Sequence, residues 1–142
     1  MRKLFLSVCS IFSLATVARS EATSLTLVNK SDGSVNCAFL SYLPHTNEAT
    51  TFHWYTINNG QSRTFNHIPA QGLITNYRCE STKPGDHRVW GRNGLACVTR
   101  GSNYVNPFYE ANNHNVCLSL NGEWKSFNRV VQTGHATHTL NP

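Results

Sequence analysis

Apolar and polar positions alternate in short stretches along most of this 142-residue chain. Residues 24–29, Ser-Leu-Thr-Leu-Val-Asn, show the two-residue period of a half-buried strand. Similar stretches lie at 35–43, 73–80 and 116–131, and turn-forming residues separate them. No window of helical length shows a 3.6-residue apolar period. The pattern predicts an all-β fold, a single small antiparallel β-sandwich or barrel.

The bulkiest side chains are concentrated between residues 52 and 65. Residues 52–57, Phe-His-Trp-Tyr-Thr-Ile, are of the types that favour a strand. Asn59-Gly60 follows, and a second strand-like stretch begins at Ser62. Because Asn-Gly tolerates the positive φ angles of a tight turn, we predict a β-hairpin here, with the core around it.

The N-terminal segment resembles a secretory signal peptide. A positive Arg2-Lys3 pair precedes an apolar run at 4–17, which is shorter than the roughly 20 residues needed to span a bilayer. We predict a signal peptide at 1–20, and cleavage after Ala18, Ser20 or Ala22 leaves a small residue at the last position. The chain is therefore expected to be secreted or periplasmic.

The mature chain is predicted to be a single β domain at 21–131, followed by a flexible polar tail at 132–142. The whole chain has 12 Lys and Arg against 7 Asp and Glu. Three of the twelve precede residue 20, so the mature balance is 9 against 7, a net charge of +2. A charge this small does not indicate a nucleic-acid or membrane partner.

Four cysteines remain once Cys9 is removed with the signal peptide, and we expect two disulfides in an oxidising compartment. Cys97 and Cys117 flank an Asn-rich segment that buries little apolar surface and needs covalent closure. Cys37 and Cys79 lie in strands on either side of the central stretch. We therefore predict the pairs Cys37–Cys79 and Cys97–Cys117. No Cys-x-x-Cys spacing supports a zinc or redox site, and no cofactor is expected.

Several short motifs occur in an order that resembles a bacterial family of small exported proteins known only as a domain of unknown function. They are Trp54-Tyr55-x-Ile57-x-x-Gly60-x-Ser62, Tyr77-Arg78-Cys79, Trp90-Gly91, Cys97-x-Thr99, Phe108 and Cys117. The resemblance covers roughly residues 25–131, and Asn29-Lys30-Ser31 stands where that family ends its first strand in a turn. The general layout also resembles secreted plant self-incompatibility-type β-sandwiches. Neither resemblance implies an active site.

This chain departs from that bacterial family in its cysteines. The family often has a cysteine where this chain has Val28, and Cys37 and Cys79 look like additions. The resemblance therefore implies only the Cys97–Cys117 bridge.

Aromatic side chains beside Asn and Arg often grip glycan or protein surfaces. The candidate binding residues are Tyr55, Arg78, Tyr104 and Tyr109. Core packing is the favoured interpretation for Trp54, Trp90 and Trp124. The leading hypothesis is an exported, non-enzymatic binding or structural module that contacts a protein or glycan in the envelope or outside the cell. Asn29-Lys30-Ser31 also matches the N-glycosylation acceptor pattern of a eukaryotic secretory route.

Two alternatives depend on the seven histidines. A secreted hydrolase acting on RNA or a cell-wall polymer could use His53, His67 or His87 with Arg78 or Arg88, although no recognised catalytic motif is present. A periplasmic metal-binding protein could use His135 and His138, which would share a metal on one helical turn. Gly134 and Pro142 disfavour a helix at that position.

Overall fold

Strands make up most of the part of the chain that the structure describes. The computed structural model describes residues 22–43, 48–66, 73–92, 94–99, 104–105, 114–119, 121–130 and 133–142. The strands are β1 (Ala22–Asn29), β2 (Val35–Leu43), β3 (Glu48–Ile57), β4 (Ser62–Asn66), β5 (Leu73–Ser81), β6 (Val89–Trp90), β7 (Gly94–Thr99), β8 (Tyr104–Val105), β9 (Gly122–Arg129) and β10 (Gly134–Leu140). One short helix, α1 (His114–Ser119), lies between β8 and β9. The predicted all-β class is confirmed, and the predicted signal peptide at 1–20 lies outside the described residues.

The strands pair in the order β10-β1-β5-β2-β3-β8. Strand β4 pairs with β1, β6 with β5, and β9 with both β5 and β7. Among the described strands the path ends at β10 and β8, so the sheet is open and not a closed barrel. One pairing differs from the expected antiparallel arrangement, because β1 and β10 run parallel.

Strand β2 is buried on both faces. Cys37 and Phe39 belong to the main core, which also contains side chains from β1, β4 and β10. Ala38 belongs to a second cluster, with Val98 of β7 and Phe127 of β9. Because successive side chains of a strand point to opposite faces, β5-β2-β3 lies between two layers, β4-β1-β10 on one side and β7-β9 on the other.

Aromatic rings join the middle layer to the β4-β1-β10 layer. Phe39 of β2 has its ring centroid 5.0 Å from that of Phe65 of β4 and 5.1 Å from that of Phe52 of β3. Tyr55 of β3 lies 5.1 Å from Phe65. Since β4 makes no ladder with β2 or β3 in the described structure, side-chain packing joins these two layers here.

The predicted hairpin at Asn59-Gly60 is wrong as a pairing of strands. The turn itself is present, because the Gln61 amide donates to the Asn58 carbonyl at 3.0 Å and Gly60 has a φ of 74°. However, β3 pairs with β2 and β4 pairs with β1. The turn therefore carries the chain from one layer to the next. Strand β4 does not pair with β3 as a neighbouring strand, and Phe65 of β4 instead packs on the side chains of β3 from the adjacent layer.

Asn29 joins the ends of several strands through a fully buried side chain. Its Nδ2 donates to the carbonyls of Gly33 at 2.8 Å and Ile57 at 2.9 Å. Its Oδ1 accepts from the amide and hydroxyl of Ser31, at 3.0 and 2.7 Å. With both amide hydrogens engaged and no exposure, Asn29 is not available as a glycosylation acceptor in this fold.

The backbone around Asn29 makes further connections. Its amide donates to the Gln61 carbonyl and its carbonyl accepts from the Gly60 amide, both at 2.8 Å. The Lys30 amide donates to the Leu140 carbonyl at 2.9 Å. One residue and its neighbour thus connect the β1-β2 turn, the end of β3, the β3-β4 turn and the end of β10.

The predicted flexible tail at 132–142 is wrong for its strand-forming part. Residues 134–140 form β10, in which Ala136 and Leu140 are fully buried beside β1. The stretch contains only two core apolar residues, too few to read as a strand from the sequence. The domain therefore includes β10 and does not end at residue 131.

Both predicted disulfides are confirmed. Cys37 and Cys79 are register partners on β2 and β5, with Cα atoms 4.1 Å apart. Cys97 of β7 pairs with Cys117 of α1 at a Cα separation of 5.8 Å. Two buried disulfides indicate an oxidising environment of the kind found outside the cell. No helix in the described ranges has the length and apolar character required to cross a membrane.

Replacing Asn29 by Asp should destabilise the protein strongly. The change keeps the shape of the side chain, but it removes both donors to Gly33 and Ile57 and places a carboxylate against their carbonyl oxygens. We expect a loss of about 3 kcal/mol in the free energy of unfolding, measured by urea denaturation monitored by tryptophan fluorescence.

The matched control is Asn59→Asp, which keeps an acceptable turn residue at an exposed position. It should change the free energy of unfolding by less than about 0.5 kcal/mol. Equal stabilities for the two variants would contradict the role assigned to the Asn29 amide.

Candidate ligand-binding groove

Five consecutive residues of one segment line a groove on the surface. The segment reads Arg88-Val89-Trp90-Gly91-Arg92, and β6 forms its middle by pairing with β5. In this segment Trp90 lies between the two arginines, Arg88 and Arg92. The groove has a volume of about 310 Å³ and is lined by Arg88, Val89, Trp90, Gly91, Arg92, Asn128, Asn141 and Pro142. This volume is at the lower end of the range for small-ligand sites.

Gly91 allows the segment to lie close to β9. A Cβ atom at this buried position would come within 2.5 Å of the Ser126 carbonyl oxygen, so no larger residue fits without a backbone shift. The Ser126 hydroxyl donates to the Gly91 carbonyl at 2.7 Å. This close contact fixes the backbone at Gly91 relative to β9.

The Trp90 ring is held at one edge and over one face. Its Nε1 donates to the Asn141 carbonyl at 3.2 Å, and the ring is partly buried against the main core. The Arg88 guanidinium carbon lies 5.9 Å from the ring centroid, within the range of a cation–π contact. The ring therefore has a defined orientation where it lines the groove.

The Arg88 end of the groove contains a cluster of four charged residues. Arg88 donates to both Asp86 carboxylate oxygens through Nε, at 3.0 and 2.8 Å, and also donates to Asp32. Lys83 donates to Asp32 at 2.9 Å. Hydrogen bonds from Arg88 and then Lys83 lower the pKa of Asp32 to about 2, and those from Arg88 and Ser81 hold the pKa of Asp86 well below its usual value. Two cations and two anions give this end of the groove no net charge.

The Arg92 end of the groove is different. Arg92 is exposed, and its backbone amide donates to the Asn128 Oδ1 at 3.1 Å. Within the described ranges no ion pair involves its guanidinium. Asn128 is itself held in place, because its Nδ2 donates to the Tyr77 hydroxyl at 3.2 Å. Arg92 is therefore a cation on the groove with its charge uncompensated by the described neighbours.

A second polar cluster holds β9 against β5. Arg78 donates to Glu80 at 2.8 Å and to the Ser126 carbonyl and hydroxyl at 2.8 and 2.9 Å, while Lys125 donates to Glu80 at 3.0 Å. Burial raises the pKa of the Glu80 carboxyl, but hydrogen bonds from Arg78 and Lys125 outweigh it, so the pKa is lower than usual. The cluster supports the β9 side of the groove through Ser126.

The four residues predicted to bind a ligand do not form one site in the described structure. Tyr55 packs against the core, with the Arg63 guanidinium carbon 4.8 Å from its ring centroid. Arg78 is only 8 % exposed and is engaged by Glu80 and Ser126, so its role is structural. Tyr104 lies in β8, where its side chain is not described, and Tyr109 lies outside the described residues.

The described residues do not bring together the histidines on which the hydrolase and metal-binding hypotheses depend. His135 and His138 lie on a strand, so their odd spacing points them to opposite faces of β10, and the predicted shared metal site is wrong. No group of three or more metal-ligating side chains occurs in the portion of the chain that the structure describes. His53 is buried in β3, His87 is exposed before β6, and His67 lies outside the described residues.

The exposed face of β10 contains one serine–histidine contact. His135 Nδ1 lies 2.5 Å from the Ser24 hydroxyl and its Nε2 lies 3.1 Å from the Thr26 hydroxyl. The Thr26 hydroxyl in turn lies 2.7 Å from that of Thr64. These contacts connect β10, β1 and β4 across an exposed sheet surface. Both ring nitrogens of His135 therefore make contacts between strands.

No protein-family model matches the chain, and neither a curated protein nor a solved structure matches it significantly. The resemblance to a bacterial family of small exported proteins therefore remains a prediction from the motifs quoted above.

The stability of the protein should fall in mild acid because of His138. This side chain points towards the core against the Tyr77 ring, 4.9 Å away, and burial lowers its pKa below 6.5. Burial also raises the pKa of the Tyr77 hydroxyl, so that group stays neutral in this range. Below pH 6.5 the unfolded chain binds a proton that the folded chain does not. Folding free energy is therefore lost as the pH falls from 6.5 to the folded-state pKa.

The measurement is urea denaturation at pH 7.5 and pH 5.5 for the wild type, His138→Gln and His87→Gln. The decrease between the two pH values should be smaller in His138→Gln than in the wild type, while His87→Gln, changed at an exposed position, should retain the wild-type decrease. Identical pH dependence in all three proteins would show that His138 does not contribute.

Proposed function

We propose that this protein is an exported, non-enzymatic binding module whose ligand occupies the groove lined by Arg88, Trp90 and Arg92. The observation that carries the proposal is the lining of one groove by a five-residue segment in which a tryptophan lies between two arginines. Aromatic and arginine side chains are the residues on which recognition sites most often depend. The side chains of Arg88 and Trp90 are held by hydrogen bonds to Asp86 and Asn141, which reduces the conformational entropy lost on binding.

Export is supported by two independent features. The first is the signal-like segment at 1–20, and the second is the pair of buried disulfides, which require an oxidising compartment. Together they favour a secreted or periplasmic location.

Binding is favoured over catalysis by the lining of the groove. General acid–base chemistry needs a proton-transferring side chain within hydrogen-bonding reach of the substrate. The described lining residues supply arginines, amides and a tryptophan, but no histidine and no carboxylate side chain. The carboxylates of Asp86 and Asp32, at the Arg88 end of the groove, are engaged by Arg88 and Lys83.

The proposal predicts that one set of variants removes binding without unfolding the protein. The full chain, secreted and purified, is applied to arrays of immobilised glycans, peptides and nucleotides. Trp90→Ala and Arg92→Gln should each reduce the wild-type signal at least tenfold. Arg129→Gln is the matched control, because Arg129 is an exposed arginine that follows Asn128 on β9 and, by strand alternation, points away from the side on which Asn128 lines the groove.

Two results would contradict the proposal. The first is binding that survives both groove substitutions, which would place the ligand elsewhere. The second is turnover of RNA or of a cell-wall polymer by the wild type, which would favour the hydrolase hypothesis. Circular dichroism of each variant confirms that the comparison is made between folded proteins.

A further inference from the structure

We infer that the exported chain is cut between Ser20 and Glu21, so that the mature protein begins at Glu21 and retains Ala22. The inference rests on the export part of the proposed function, since a signal peptidase acts on exported chains. The sequence leaves three candidate bonds, after Ala18, Ser20 or Ala22, each with a small residue before the cut. The place of Ala22 in the fold distinguishes the last bond from the other two.

Ala22 is the first described residue, and it is already part of the core. Its side chain is 0 % exposed and belongs to the main core, together with Leu25 and Ile74. The next residue, Thr23, is exposed, and its hydroxyl donates to the Gly134 carbonyl at 3.0 Å. The folded part of β1 therefore includes residue 22.

The backbone of Ala22 lies where three strands meet. Ala22 pairs with Gly134 of β10 and with Ile74 of β5. In the described ranges the pair with Ile74 is the sole register pair between β1 and β5, so it joins the β4-β1-β10 layer to the β5-β2-β3 layer. A mature chain that began at Thr23 would lack this pair and the buried methyl group. Because native domains are only marginally stable, that loss is a substantial part of the whole.

The sequence decides between the two remaining bonds. Signal peptidases require small residues at the last and third-last positions before the cut. Cleavage after Ser20 places Ser20 and Ala18 at these positions. Cleavage after Ala18 places the larger Thr16 at the third-last position and leaves one residue between the apolar run at 4–17 and the cut. The bond between Ser20 and Glu21 therefore suits both the enzyme and the fold.

The reaction is the hydrolysis of one peptide bond by the signal peptidase of the exporting cell. The C–N bond between Ser20 and Glu21 breaks as water adds across it. The hydroxyl of the water goes to the carbonyl carbon of Ser20, and a proton goes to the nitrogen of Glu21, which becomes the α-amino group of the mature chain. The chain is cut as it is exported, before it folds, so the burial of Ala22 matters for the product and not for access of the enzyme.

The first test identifies the N-terminus of the full chain after export from a secreting host. Mass spectrometry of the processed wild type should show that it begins at Glu21. Ala18→Tyr puts a bulky residue at the third-last position before the inferred cut and should reduce the processed fraction in a pulse-chase at least tenfold. The matched variant Ala22→Tyr should be processed like the wild type and still begin at Glu21. The readout is the mass of the chain, so it does not require Ala22→Tyr to fold.

The second test measures what residue 22 contributes to the folded protein. Ala22→Glu, in the secreted protein, should lower the urea midpoint by about 1 M, because it buries a charge in the core. The control Thr23→Glu places the same charge at the exposed neighbour and should shift the midpoint far less.

The outcomes separate this inference from the proposed function. A mature N-terminus at Thr23 or Arg19 would overturn the inference alone, as would processing that fails in Ala22→Tyr and survives in Ala18→Tyr. A wild-type urea midpoint for Ala22→Glu would remove the structural reason for retaining residue 22 and would also overturn it. A wild-type chain that stays unprocessed inside the cell would contradict export itself, and with it the proposed function.

Discussion

The buried amide of Asn29 is the interaction on which the arrangement of layers depends. It satisfies two carbonyls, from the β1-β2 turn and from β3, and accepts two hydrogen bonds from Ser31. A satisfied hydrogen bond contributes little net stability, but a buried polar group left unsatisfied costs more than the bond gains. The site therefore favours one arrangement of these turns and penalises alternatives.

The groove is connected to this site through β10. The Lys30 amide holds the last residue of β10, Leu140, and the next residue, Asn141, accepts the hydrogen bond of the Trp90 indole. On the opposite side, Arg78 and Ser126 hold β9 against Gly91. The lining of the groove is thus set by contacts between distant segments, while its three principal side chains come from five consecutive residues.

The sequence alone predicted what local chemistry determines. Period-two alternation predicted the strands, because a half-buried strand needs apolar residues at every second position. Cysteine placement predicted both disulfides, because a bridge needs a cysteine in each of the two segments that it joins. The hairpin prediction at Asn59-Gly60 was wrong because turn residues determine local φ angles and not the partner of the next strand. The tail prediction was wrong because β10 is recruited by β1 with only Ala136 and Leu140 as core residues.

The binding residues were harder to predict for the same physical reason. Arg78 looked available beside aromatic residues, but Glu80 and Ser126 engage it through contacts that no local pattern indicates. Core packing is the prediction for Trp90, and the side chain does pack there, yet it also lines the groove. A tryptophan between two arginines at 88–92 is a readable signal, although only the structure shows which of the two arginines is compensated.

Native-state hydrogen exchange is the most direct test of the central role of Asn29. Two-dimensional NMR would follow the Lys30 and Gly60 amides, which bond to the end of β10 and to Asn29. We expect both amides to exchange only by global unfolding, with a protection free energy equal to that from denaturation. Exchange of either amide through local opening, several kcal/mol below the global value, would show that the layers hold together without this junction.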